Sequence, residues 1–265
     1  MDLRNTEFYF DAFGRTVLHN QWSFNITPAY NIMHYVIGGK AHYIHNGIVH
    51  EFREGHFYIL SGLANIKRNL IPGEYFDHMY FDFSSNKILK NDVVEIDTAE
   101  YPLLHSIAEC TSQFFLESDI SQPTFTEYKD NKEILGMAHN FFKILLQTAN
   151  SITPLFTNID MRISDALDYI QKNYNDADLT IQKIARHIHL SVPRFNTLFY
   201  AETKTTPYKY IMEFRLNHAY KLLSDGEPIK FVAEASGYSN IYSFSKAFKH
   251  RYSVTPGSIS PYKKN

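Results

Sequence analysis

The last hundred residues of this chain repeat when laid on themselves. With an offset of about 49, Ser191 falls on Asn240, Phe195 on Phe244, Phe199 on Phe248 and Thr206-Pro207 on Thr255-Pro256. Upstream of the turns the offset drops to about 48, pairing Ile181 with Ile229, Ile184 with Val232 and Ala185 with Ala233. One unit is therefore used twice, with an extra residue in the second turn.

The pattern of that unit fits a helix-turn-helix. Two short helices that cross steeply need a small residue where they meet, and Ala185 supplies it. Ile184, Ile188, Leu190, Phe195 and Leu198 occupy core-facing positions. Ser191 is an N-cap for the second helix, and Pro193 is tolerated in its first turn. Arg194, Asn196, Thr197 and Tyr200 are left facing outwards. In the second copy Gly237 suits a turn that needs positive φ, Tyr238 fills the core slot and Asn240 caps. Phe244, Ala247 and Phe248 face in, while Tyr242, Ser245, Lys246 and Lys249 face out. An exposed helix with hydrogen-bonding side chains fits the major groove, where each base pair shows a distinct donor and acceptor pattern. Between the units, Pro207–Leu223 reads as one helix, roughly 25 Å long at 1.5 Å per residue. That length suits two reading helices about one DNA turn apart, ~34 Å.

Asp160–Asn265 resembles the DNA-binding domain of AraC/XylS-type regulators. The resemblance is carried by Ile184-Ala185, Leu190-Ser191, Phe195, Leu198-Phe199, Thr206-Pro207, Arg215-Leu216, Ala219, Leu222-Leu223, Val232-Ala233, Gly237-Tyr238, Phe244-Ser245-Lys246, Phe248-Lys249 and Thr255-Pro256. It implies reading helices in two successive major grooves of double-stranded DNA. The base-contact positions of the family fall on Pro193, Asn196 and Thr197, and on Ile241, Tyr242, Ser245 and Lys246; Arg194 is added as a substitute. Where the family usually has Arg this chain has Thr197, and where it has Gly this chain has Lys204 and Ser253. Without an Arg at 197, bidentate contact to guanine is lost there. Ser191, Asn240, Lys249 and Arg251 are the expected phosphate contacts.

Residues 26–83 read as β-structure. The expected strands are Ile32–Ile37, Ala41–His45, Ile48–Phe52, Phe57–Leu60 and Tyr75–Phe83, separated by Gly38-Gly39, Asn46-Gly47 and Glu54-Gly55. Asn46-Gly47 predicts a type I′ hairpin turn, which needs positive φ at both central residues. Many short strands point to a barrel or sandwich, and the segment is similar to the cupin-type sensor barrel often paired with such DNA-binding domains. Two helices are expected after it, about Thr98–Glu117 and Lys129–Ala149. The expected fold is thus α+β in two domains: residues 1–150 a cupin-like barrel with two helices, 151–158 a linker, and 159–265 an all-α double helix-turn-helix.

Inward positions of a small barrel can enclose one small molecule. The resemblance makes Tyr35, Tyr43, Phe76, His78 and Tyr80 the candidates, with Tyr9, Phe10 and Trp22 on the N-terminal arm, and aromatic faces with polar tips suit a sugar or similar polar metabolite. Six histidines (His34, His42, His45, His50, His56, His78) lie in this half, yet His42 and His45 would face opposite ways on a strand. No metal site, no cofactor and no catalytic activity is expected. The resemblance further implies a homodimer formed through the two helices, with RNA polymerase as a further partner.

Charge divides along the same line. Residues 1–159 carry 11 basic and 18 acidic residues, a net of −7, while 160–265 carry 15 and 10, a net of +5. Only the second half is suited to a polyanion. A single cysteine, Cys110, allows no intrachain disulfide. No apolar run approaches the ~20 residues that span a bilayer, and the first residues lack an export signal, so a cytoplasmic protein is expected. The competing classes are a metal-dependent cupin enzyme with an accessory helical domain and an architectural protein that binds DNA without choosing sequence.

Overall fold

In a computed structural model the described residues are 6–19, 23–24, 30–64, 66–115, 117–119 and 132–259. They divide into two compact units, one of residues up to 84 with 89–157, the other of 85–88 with 158 onwards.

Among the described residues the first unit carries ten strands: β1 Phe8–His19, β2 Ser23–Phe24, β3 Asn31–Gly39, β4 Ala41–His45, β5 Ile48–Glu51, β6 His56–Leu60, β7 Ile66–Leu70, β8 Tyr75–Ser85, β9 Val93–Asp97 and β10 Glu117–Asp119. They form two sheets, ordered β10-β1-β8-β3-β6-β9 and β2-β7-β4-β5. Among the described residues these two sheets are not closed into the expected barrel. Asn46 and Gly47 both have positive φ, 52° and 79°, and join β4 to β5 as the Asn-Gly pair predicts.

Strand alternation sends β3 into two different cores. Met33 and Tyr35 pack with Phe57, Ile59, Met79, Phe81 and Phe83 against the helical side. Ile32 and Val36 pack instead with Tyr43, Phe52, Tyr58, Ile66 and Phe76, joining the two sheets. The helices on the first face are α1 Pro102–Phe114 and α2 Lys132–Ile152. Pro102 starts α1, because a missing N–H costs nothing in a first turn. The helix expected to run from Thr98 to Glu117 is shorter. Thr98–Glu100 is a 3₁₀ turn, Phe115 is extended, and Glu117–Asp119 pairs parallel with β1. Backbone pairing with a neighbouring strand outweighs helical periodicity there.

The second unit is helical: α3 Met161–Asn173, α4 Ile181–His187, α5 Val192–Thr203, α6 Pro207–Ser224, α7 Ile229–Ala235, α8 Ile241–Tyr252 and α9 Pro256–Ile259. Five of these starts are capped by side-chain oxygens, from Asp160, Thr180, Ser191, Thr206 and Asn240. Ile163, Leu167, Ile170, Ile184, Ala185, Phe195, Phe199, Tyr210 and Ile211 make one buried cluster. No helix among the described residues is long and apolar enough to cross a membrane.

Candidate nucleic-acid interface

The repeat seen in the sequence is a repeat in backbone geometry. After α4, His189 adopts φ 56° and its N–H reaches Arg186 O, while Leu190 N–H reaches Ala185 O at 2.8 Å. After α7, Gly237 adopts φ 74°, its N–H reaches Glu234 O, and Tyr238 N–H reaches Ala233 O at 2.9 Å. Ser191 Oγ accepts from Arg194 N–H, and Asn240 Oδ1 accepts from Ser243 N–H, opening α5 and α8 alike. Both helices close on a left-handed residue, Lys204 at φ 57° and Ser253 at φ 61°. These are the two positions where the family pattern has Gly; the backbone keeps the glycine conformation without the glycine.

The helices α5 and α8 turn comparable faces to solvent. On α5, Pro193, Arg194, Asn196, Thr197 and Tyr200 are exposed while Phe195 and Phe199 are buried. On α8, Ile241, Tyr242, Lys246 and Lys249 are exposed, Ser245 is half-buried, and Phe244 and Phe248 are buried. The predicted readout residues thus share one outward strip on each helix. Thr197 Oγ1 donates to Pro193 O within its own helix at 3.0 Å, so its hydroxyl is partly engaged. Ser191 and Asn240, expected at phosphates, use their side-chain oxygens as caps.

Arg251, expected at phosphate, makes contacts within its own unit. Its Nε donates to Glu213 Oε2 of α6, and its guanidinium lies 5.2 Å from the Tyr252 ring. A cation half-withdrawn from solvent gains more from a fixed carboxylate than from water, so it braces α8 against α6. Tyr252 Oη donates to Asn217 Oδ1 at 2.7 Å in the same seam.

On the other side of α6, Arg215 is buried and donates from Nε to Tyr174 O at 2.7 Å and from a terminal nitrogen to Asp176 O at 2.8 Å. The guanidinium also lies 6.0 Å from the Tyr238 ring centroid. One side chain thereby touches the loop before the first repeat and the turn inside the second, which ties the two reading units to a common strut.

In the first unit the candidate ligand residues separate into two groups. Tyr43, Phe76, His78 and Tyr80 lie together between the sheets. Phe52 packs 5.0 Å from Tyr43 and 5.3 Å from Phe76, Phe76 stacks on His78 at 4.5 Å, and Tyr80 lies 5.7 Å from His78. Tyr35 lies on the opposite face of the same sheet. Its hydroxyl donates to Glu109 Oε1 on α1 at 2.5 Å and lies 3.3 Å from His105 Nδ1; burial and the nearby carboxylate push its phenol pKa up. Trp22 lies outside the described residues.

Two interior residues were not singled out as ligand candidates from the sequence. His34 is 2% exposed, with its ring 4.9 Å from that of His78, and Arg68 is 5% exposed, with a guanidinium nitrogen 3.3 Å from His34 Nε2. Burial, then His78 and Arg68, lowers the His34 pKa; burial and Arg68 lower that of His78 to about 3. Both imidazoles are therefore neutral at pH 7. Lys67, Arg68 and Asn69 gave β7 too polar a look for a strand, which is why the signal was missed.

Two outward helices, repeated in backbone detail and braced by one strut, define the C-terminal unit as a double helix-turn-helix domain. Residues 184–260 match the family described as a helix-turn-helix domain. The raffinose operon transcriptional regulatory protein RafR of Pediococcus pentosaceus is 32% identical over 105 residues, which span 38% of this chain and 38% of that protein. The arabinose operon regulatory protein of Salmonella typhimurium is 26% identical over 155 residues, 54% of this chain and 55% of the relative. The Msm operon regulatory protein of Streptococcus mutans is 22% identical over 268 residues, 96% and 93% of the two chains. In fold, the chain is similar to ToxT from Vibrio cholerae, with TM-score 0.61, 13% identity, and 96% and 97% of the chains covered. The chain spans about a third of the length of the curated relatives it matches first, and its C-terminal unit is similar to the helix-turn-helix family.

Proposed function

We propose that this chain is a cytoplasmic, sequence-specific DNA-binding transcription regulator without catalytic activity, and that a small polar molecule bound in its first unit controls it. The observation that carries this reading is the pair of exposed strips on α5 and α8, held by Arg215 and Glu213 of one helix. Arg194, Asn196, Thr197, Ile241, Tyr242, Ser245 and Lys246 face the bases, with Lys249 at phosphate. Double-stranded DNA is engaged in two successive major grooves. A gel shift on DNA upstream of the gene tests it. Binding that weakens with salt and prefers certain sequences is expected; affinity indifferent to base order returns the architectural alternative.

The effector site is assigned to the space between the sheets, with Tyr43, Phe76, His78 and Tyr80 joined by His34 and Arg68. Tyr35 serves the neighbouring helix instead. A sugar is the first ligand class to try, and fatty acids the second, since ToxT has been solved with an unsaturated fatty acid bound. Thermal shift ranks them, because a ligand preferring the folded state raises Tm. Stoichiometric iron, manganese or zinc in the purified protein would instead support the cupin enzyme.

The chain is further assigned a homodimer through α1 and α2. Leu103, Ile107, Cys110 and Phe114 recur at helical spacing on α1, as Met137, Phe141 and Ile144 do on α2. Leu103, Cys110, Met137 and Ile144 are exposed, and Phe114 lies 5.1 Å from Phe141. Activation through RNA polymerase is the mode that the resemblance favours.

A further inference from the structure

We infer that the N-terminal end of α8 reads thymine through its methyl group, with Ile241 and Tyr242 making the apolar contact. This rests on the DNA-binding reading above and deepens it by naming the base.

Ile241 is 43% exposed and Tyr242 80% exposed, side by side in the first turn after the Asn240 cap. The strip they begin continues with Ser245, Lys246 and Lys249, none of them apolar. Two large, mostly hydrocarbon side chains that face water at the leading end of a cationic helix are left out of the core, which Phe244 and Phe248 fill. The first-turn residues of a reading helix are the ones that reach base edges. Among the four bases only thymine presents an apolar group, its C5 methyl, in the major groove. The equivalent positions on α5 are Val192, which is half-buried, and Pro193, which is exposed but smaller, so the larger apolar tip belongs to the second reader. Lys246, one turn behind Tyr242, supplies a donor for a guanine or a phosphate next to it.

The test begins with duplexes selected by the full-length protein from a random pool. Each thymine of the selected site is then replaced singly by deoxyuridine, which removes one methyl and leaves every hydrogen-bonding edge unchanged. A loss of about three- to fivefold is expected at one or two positions in the half contacted by α8, the worth of about one buried methyl group. In Ile241→Ala and Tyr242→Ala, both exposed positions where folding is checked by circular dichroism, binding weakens overall and at least one variant no longer distinguishes thymine from uracil. A selected site whose affinity ignores every thymine methyl overturns the inference and leaves the regulator reading standing. So does a methyl preference that persists undiminished in both variants. Selection that yields no preferred sequence overturns both readings.

Discussion

Replacing Gly237 with Ala is the sharpest available test of how the two reading units are held together. The residue adopts φ 74°, and a Cβ there would stand 2.5 Å from Tyr174 O and 2.9 Å from Arg215 Nε. The left-handed conformation alone costs an Ala about 1–2 kcal/mol. Relieving the contact means moving the Tyr174 carbonyl away from Arg215, whose hydrogen bond as a charged donor contributes about 1.5–3 kcal/mol. The reduced freedom of the unfolded chain returns about 0.5–1 kcal/mol, leaving a net loss of about 2–4 kcal/mol, a large share of the ~5–15 kcal/mol typical of a domain. The twin position supplies the control. His189 has φ 56° in the matching turn, so His189→Gly is expected to be neutral or to stabilise by up to about 1 kcal/mol. Urea unfolding of the full chain, followed by circular dichroism, measures both. Operator affinity of the folded Gly237→Ala protein should fall at least tenfold, because Arg215 no longer fixes the second unit against the first. A Gly237→Ala protein within about 1 kcal/mol of wild type, with unchanged operator binding, would refute the bracing argument.

Lys249 and Arg251, neighbours on α8, should part company: Lys249→Ala lowers the salt slope of DNA binding by about one without changing the urea midpoint, whereas Arg251→Ala, losing Glu213, shifts the midpoint and leaves the slope alone. Equal salt slopes for Lys249→Ala and wild type would remove Lys249 from the phosphate set. Mild oxidation should link two chains through Cys110, which sits on the outward apolar stripe of α1, and Ile144→Glu should abolish the cross-link; a protein that stays monomeric on sedimentation rules out that face. Stability should also fall with acidity between pH 6.5 and about 3. His34 and His78 are held neutral when folded, with His78 lowered to about 3, so below 6.5 the unfolded chain takes up protons that the folded one refuses. The limiting slope is about 1.4 kcal/mol per pH unit for each imidazole. A urea midpoint flat across that window, or unchanged in His78→Gln, contradicts their burial.

The parts of this structure written in local pattern were legible in advance. Asn46-Gly47 names its own turn, and Ala185, Ser191 and Phe195 with their counterparts define a helix-turn-helix through spacing alone. Features that depend on distant partners were not. The pairing of Arg251 with Glu213, 38 positions away, cannot be read from α8 alone. The left-handed turn at His189 is invisible without its twin Gly237. The resemblance groups Tyr35 with Tyr43 and Phe76, though strand alternation separates it from His34. The strand β1 was missed because Asp11, Gly14 and Arg15 interrupt its apolar residues.

The middle of β3 joins two events that need no loop between them. His34 looks into the space between the sheets and Tyr35, the next residue, grips Glu109 on α1. One peptide therefore separates the inner contact from the helix on the other side, where the neighbouring Cys110 stands at the outer surface. The sheet is thus a single layer of backbone whose inner and outer surfaces are written into consecutive residues.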